Sequence, residues 1–328
     1  MFESVPMTAT LPTDVQKVFQ RFVTTEFTTV DSRGRPITWP LTPYYSPGDP
    51  CIDVTTGLGY PKKAKDARAN PKVAMLFSDP TGSGLDHPPQ VLVQGSATVD
   101  DLDLDANRER YRRELAVKLP GVKSEMPPKV FDRFLSWYLT RIYVHVRPER
   151  IYVWPEGDAA TEPALYDAHL EEVRSGHDEE PPAELPDAAG GAPAWDDRMD
   201  ELGARYPEVA VSLVAPDGFP FSVRLPIELD RDARRIHLGG APVGVPWHAG
   251  LACITAHDHS PDFKWQRNFQ VRGDLVEEDG AWTLVPHKLV GGFELPPGSL
   301  LGRVRLNAKK MRRYRKTAKR ELAERAER

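Results

Sequence analysis

Cysteine is nearly absent from this chain: 328 residues hold two, Cys51 and Cys253. Both sit in apolar, strand-like runs. They read as buried free thiols rather than a disulfide framework, and a reducing cytoplasm fits. No apolar run approaches the ~18 residues that cross a bilayer, so no membrane partner is expected. Met1 to Thr13 lacks a basic region followed by an apolar stretch, so no secretory signal is expected there. No Gly-x-Ser-x-Gly elbow, P-loop or Gly-x-Gly-x-x-Gly fingerprint is present. His257 and His259 would share a strand face, but spacing identifies no third ligand, so no metal site is expected.

Basic character is missing from the body of the chain. Residues 1–302 carry a net charge of −14, and Glu156–Leu202 alone carries −13. Positive charge concentrates in Arg303–Arg328, at +9. A nucleic-acid partner is therefore not expected. The tail, residues 307–328, reads as a basic helix with few apolar positions. It should be solvated or lie loosely on acidic surface of its own chain or a partner subunit, and removing it should leave any cofactor site intact.

Proline, by contrast, is abundant: 32 of 328 residues. This argues against a helical bundle and for strands, turns and a stiff linker. Leu11–Phe22 has helical spacing of Val15, Val18, Phe19 and Phe22. Strand patterns follow at Phe27–Val30, Pro36–Tyr45, Cys51–Thr55, Val73–Ser78 and Gln90–Val99. Helical patterns occupy Leu104–Leu119 and Val130–Leu139, and strands return at Ile142–Val146 and Ile151–Trp154. Residues 155–200 read as an acidic Pro/Ala-rich linker, with a possible helix at Ala164–Arg174.

The second half repeats the first. Gly34 and Gly218, each in a turn, are 184 residues apart, as are Ile52 and Ile236. After a six-residue deletion, Val93-Gln94-Gly95 and Val271-Arg272-Gly273 lie 178 apart, as do Val73 and Leu251. The division is then 1–154, a first β domain; 155–200, the linker; 201–306, a second; and 307–328, the tail.

The richest stretch chemically is Val54 to Pro71. A strand ends in Thr55 and Thr56, a glycine-rich turn follows, and a helix starts with Lys62 and Lys63. Hydroxyls, backbone N–H groups and lysine suit an anion. Asp-x-x-Gly-x-Pro, Thr-Thr, the lysines before Asn70-Pro71, and Gln90-Val-x-Val-x-Gly resemble, in that order, the pyridoxamine 5′-phosphate oxidase-like split β-barrel superfamily over residues 15–154. The resemblance implies a mainly β (α+β) fold of two split barrels related by internal duplication. It implies a flavin-dependent oxidoreductase acting on a small-molecule substrate. It assigns Thr55, Thr56, Lys62, Lys63 and Gln90 to the cofactor, with no catalytic side chain. FMN is the implied cofactor; the 8-hydroxy-5-deazaflavin coenzyme and haem are the family's alternatives, and a non-enzymatic binding module is a third reading. Asp66 and Pro61 depart from the pattern, and the second half has no lysine or arginine where Lys62–Arg68 should recur. Family members are typically homodimers, so the halves should form an intramolecular pseudo-dimer, with further homo-oligomerisation possible. Trp247 and His248 would then be either cleft walls or a packed Trp and a surface His.

Overall fold

The computed structural model describes residues 11–123, 132–167, 193–292, 294 and 300–326. Six strands make the first sheet: β1 (Thr25–Val30), β2 (Pro36–Leu41), β3 (Ile52–Gly57), β4 (Lys72–Phe77), β5 (Gln90–Asp100) and β6 (Arg141–Trp154). Their order is β2-β1-β4-β5-β6-β3, and β7 (Ala164–Asp167) is added against β6. The second half holds β8 (Glu208–Val214), β9 (Pro220–Asp230), β10 (Arg235–Leu238), β11 (Gly250–His259), β12 (Gln266–Glu278) and β13 (Ala281–Gly291). These close a barrel in the order β9-β8-β11-β12-β13-β10, sealed by pairing of β9 with β10. Moving each strand of the first sheet seven places along the chain converts one order into the other. The chain therefore contains the same β architecture twice.

The duplication extends to irregularities. The β5–β6 register shifts between Gln94 and Gly95, and the β12–β13 register shifts between Arg272 and Gly273. A Cβ on Gly95 would collide with the Arg147 carbonyl oxygen, and one on Gly273 with that of Val285. Pro148 and Pro286 face these glycines. This corrects one expectation: Ile142–Val146 and Ile151–Trp154 are not two strands but parts of β6. Pro148 sits at the bulge, where the ladder is already interrupted, so the strand runs through it.

At the boundary between halves lies a knot of four buried hydroxyls. Thr28 meets Thr38 at 2.9 Å and Ser222 at 3.0 Å, while Ser212 meets Thr38 at 2.7 Å and Ser222 at 2.8 Å. Ser212 and Ser222 are the positions 184 residues after Thr28 and Thr38, so the knot relates each half to its copy. Around it Leu76, Leu92, Tyr152 and Trp154 of the first half share one apolar core with Val211, Phe221, Val223 and Ile254 of the second. Full burial of each such side chain contributes roughly 1.5–3 kcal/mol.

Helices cover the first half. In α1 (Thr13–Arg21), Val15, Val18 and Phe19 turn inward at helical spacing. Next come α2 (Lys62–Ala69), α3 (Leu104–Lys118), α4 (Pro120–Lys123) and α5 (Asp132–Leu139); α6 (Asp197–Arg205) precedes the second barrel. The Asp103 carboxylate caps α3, accepting from the Asp105 and Ala106 amides.

Three further expectations change. The strand expected over Pro36–Tyr45 stops at Leu41; Tyr44 rejoins only as a bridge to Asp53. Ala164–Asp167 is a strand, because the edge of β6 offers ladder partners that a short isolated helix lacks. The rest of that proposed helix and most of the linker fall at 168–192, outside the described residues. The tail helix α7 (Leu300–Ala326) is docked rather than solvated: Ala318 and Glu321 are buried, Tyr314 stacks on Trp137, and Arg325 pairs with Asp101 at 2.8 Å. Among the described residues no helix is long and apolar enough to cross a membrane.

Candidate functional site

The turn between β3 and α2 is held from outside. Leu58 and Gly59 donate their amides to the carbonyls of Thr140 and Trp137, at the end of α5. Thr56 gives its hydroxyl to the Tyr60 carbonyl at 2.9 Å. The N–H groups of Leu58, Gly59 and Tyr60 are thus occupied within the protein. Gly59 permits the closest approach of α7, since a Cβ there would lie 2.9 Å from Tyr314 Cβ.

A cavity of about 370 Å³ opens beside this turn. Trp39, Tyr60, Tyr138 and Tyr314 give it aromatic walls, and Thr55, Lys62 and Lys63 line it too. Lys62 is exposed and pairs with Asp66 at 2.7 Å, and burial raises the Asp66 carboxyl. Lys63 is half-buried, with its ammonium 5.7 Å from the Trp39 ring centre and 5.5 Å from that of Tyr60. Among the described residues it has no hydrogen-bond or ion-pair partner. Burial, with the nearby Arg141 charge adding, lowers its pKa to about 8.

Arg141, which opens β6, is buried in a tyrosine cage. Its guanidinium donates to Tyr60 Oη at 3.0 Å and Tyr111 Oη at 2.5 Å, and lies 4.0 and 4.2 Å from the ring centres of Tyr111 and Tyr138. No carboxylate among the described residues comes within 4.0 Å of it. Burial opposes its charge, but the phenols around it outweigh this and keep it protonated. Burial pushes the Tyr60 hydroxyl up to about 12, against the pull of Arg141. Sequence reasoning missed Arg141: its partners come from positions 60, 111 and 138. The available signal was a charged residue heading the apolar run Ile142-Tyr143-Val144.

The second half closes the other side through Asn268, Arg272 and Val290, and α7 contributes Arg313 and Tyr314. The tail, expected to leave any cofactor site intact on removal, thus supplies one wall of this cavity. Trp247 and His248 do not line this cavity. Trp247 packs against Trp282, and His248 bonds the Val214 carbonyl through Nε2 at 2.8 Å.

Gln90 lies elsewhere, in a second cavity of about 560 Å³ with Leu85, Arg224, Leu225 and Gly239. The duplication relates the two cavities. Leu85 and Gln90 correspond to Phe263 and Asn268 by the offset of 178, and Leu41 and Thr55 to Leu225 and Gly239 by that of 184. Each half's β5-type strand thus reaches across to the other half's cavity, which brings Asn268, not Gln90, to Lys63. In the second cavity Gln90 Oε1 accepts the Arg224 amide at 3.2 Å. Arg224 gives Nη2 to buried Glu26 at 2.7 Å, and His257 Nε2 meets the same carboxylate oxygen at 2.7 Å. His257 and His259 do share a face, and both turn towards the carboxylate of Asp79.

No protein-family model and no curated protein matches the chain. Solved structures do. General Stress Protein 26 from Bacillus anthracis is 16% identical, with 47% of this chain and 95% of that one covered, at a TM-score of 0.32. An F420 reductase is 21% identical, covering 43% and 98%, at 0.31. The haem storage protein HutZ from Vibrio cholerae is 14% identical, covering 43% and 92%, at 0.32.

Proposed function

We propose that this chain, which carries the split β-barrel of the pyridoxamine 5′-phosphate oxidase-like proteins twice, is a flavin-dependent oxidoreductase with a single cofactor site at the Lys63 cavity. The observation that carries this reading is the pair Lys63 and Arg141. Two cations sit among aromatic rings, and no carboxylate among the described residues forms an ion pair with either; Asp66 acts on Lys63 only from beyond 4.0 Å. Leaving such charges uncompensated costs several kcal/mol, and a phosphate of FMN would offset it. Lys63, with a pKa near 8, is mainly protonated at neutral pH and meets the phosphate as a cation. Arg141, fixed by two phenols, would hold the phosphate end in one orientation. Trp39, Tyr60 and Tyr314 suit the flat face of a ring, and α7 would keep water from it.

A bound flavin would supply hydride transfer to a small-molecule substrate; the chain supplies binding, orientation and solvent exclusion. The second half would complete the cleft as one member of an intramolecular pseudo-dimer, with the domains at 1–154 and 201–306 joined by the linker. Among the described residues lining the cavity there is no histidine, cysteine or methionine, and of its tyrosines, a less common axial ligand of haem iron, Tyr60 and Tyr111 are bonded to Arg141. The deazaflavin coenzyme would present its own phosphate to the same cations, and the visible spectrum of the loaded protein tells it from FMN.

Titration of the full chain with FMN and with riboflavin tests the reading. Lys63→Ala should weaken FMN by roughly ten- to a hundredfold, the worth of one charge-assisted contact, and leave riboflavin unchanged. Equal FMN affinities for the wild type and the variant would remove the phosphate assignment.

A further inference from the structure

The second half brings a cation of its own to the cavity that Lys63 and Arg141 line. Arg272, from β12, occupies the position equivalent to Gln94 in the first half. Gln94 is fully buried and gives its amide to the Pro220 carbonyl at 2.8 Å, a purely structural bond across the halves. In the copy an arginine stands here and reaches the cavity instead. One edge of its guanidinium is fixed: Nε and Nη2 donate to Gln270 Oε1 at 3.1 and 2.9 Å. Gln270 is itself fully buried and anchored through its amide to the Thr38 carbonyl, next to Trp39. That leaves three of the five N–H groups of Arg272 without a partner among the described residues. No carboxylate among the described residues lies within 4.0 Å of it; Asp66, which shares the cavity, is engaged by Lys62. Burial and the charge of Arg35 work against its protonated form, while Asp31 and Asp66 support it only from a distance.

We infer that Arg272 is a specificity-determining residue that receives a second anionic group, the carboxylate or phosphate of the molecule that reacts at the cofactor, so that the substrate is an organic anion. This rests on the flavin reading above. A cofactor phosphate at Lys63 and Arg141 would leave the charge of Arg272 still to be met. A preoriented guanidinium with free donors on one side matches a planar carboxylate better than any neutral group. Its own fold position does not require the charge, because the copy of the fold holds a glutamine there.

The test uses the full chain loaded with FMN, with benzoate as the probe and benzamide as its neutral isostere, each followed through the visible spectrum of the bound flavin. Benzoate should bind about tenfold or more tighter than benzamide. Arg272→Gln, which installs the residue of the equivalent position, should bring benzoate down to the level of benzamide and change FMN affinity less than about twofold. Equal binding of the two probes to the wild type would overturn the inference. So would an Arg272→Gln variant that loses FMN, because Arg272 would then belong to the cofactor phosphate. If FMN itself does not bind, the cofactor reading fails separately, and calorimetric titration of the same protein with benzoate and benzamide still decides the role of Arg272.

Discussion

The Lys63 cavity and the Arg224 cavity occupy equivalent places in one duplicated fold, yet they are opposite in charge. The first gathers Lys63, Arg141 and Arg272, none in an ion pair among the described residues. In the second, Arg224 is bound to buried Glu26, and Glu156, Asp158 and Glu208 stand on the wall. Two identical chains must build two identical sites. Joining the copies covalently lifts that requirement, and here one cavity holds Lys63, Arg141 and Arg272 outside any ion pair among the described residues while the other turns its arginine inward. The second cavity's charge network ties β1 of the first half to β9 and β11 of the second, so its role is cohesion.

The largest effect expected from this contrast is on stability. Arg224→Ala removes a partner from a carboxylate that is 1% exposed and should cost about 3 kcal/mol in urea unfolding. The folded protein should still bind FMN at the other cavity. A variant as stable as the wild type would show that Arg224 is no part of the joint.

The same joint should respond to acid. His257 and Arg224 hold the Glu26 carboxyl near a pKa of about 2, against 4.5 in the unfolded chain, overcoming the burial that pushes it up. A lowered folded pKa means that stability is fully present above 4.5 and is lost as pH falls from there towards 2. Glu26→Gln should flatten that part of the profile; an unchanged slope would locate the acid-sensitive group elsewhere.

At the ligand cavity, ending the chain before Leu300 removes the α7 wall with Tyr314 and exposes Trp137. FMN binding should weaken by about tenfold, from lost stacking and contact. Undiminished affinity would return α7 to the status of a surface helix. A smaller, graded effect is expected from pH. Lys63 in the free protein loses its proton above about 8, so FMN affinity should fall as pH rises past that value, with a limiting slope of one proton per ligand. Lys63→Arg should remove the fall, since a guanidinium does not titrate there.

Much of the fold was legible in the sequence because duplication repeats its punctuation. The constant offsets between Gly34 and Gly218, and between Gly95 and Gly273, mark turns and bulges that only one chain path satisfies. Of the residues singled out around the end of β3, Thr55, Lys62 and Lys63 line one cavity, while Thr56 gives its hydroxyl to the turn. Arg141 and its tyrosines were invisible, because the cage forms only when three distant segments converge. Gln90 was grouped with these residues but lines the other cavity, because strand spacing along one half does not reveal which half a strand serves. That α7 would lie on its own chain was one of the two expectations, but where it lies was not legible, because its buried positions, Ala318 and Glu321, and half-buried Tyr314 are too few and too polar to mark an amphipathic face.

The central claim is that a fold present twice has one phosphate-binding cavity. Calorimetric titration of the full chain with FMN measures this directly. The account predicts one FMN per chain, in a binding event weakened by Lys63→Ala. Two FMN per chain, or a single one whose affinity ignores Lys63→Ala, would contradict it.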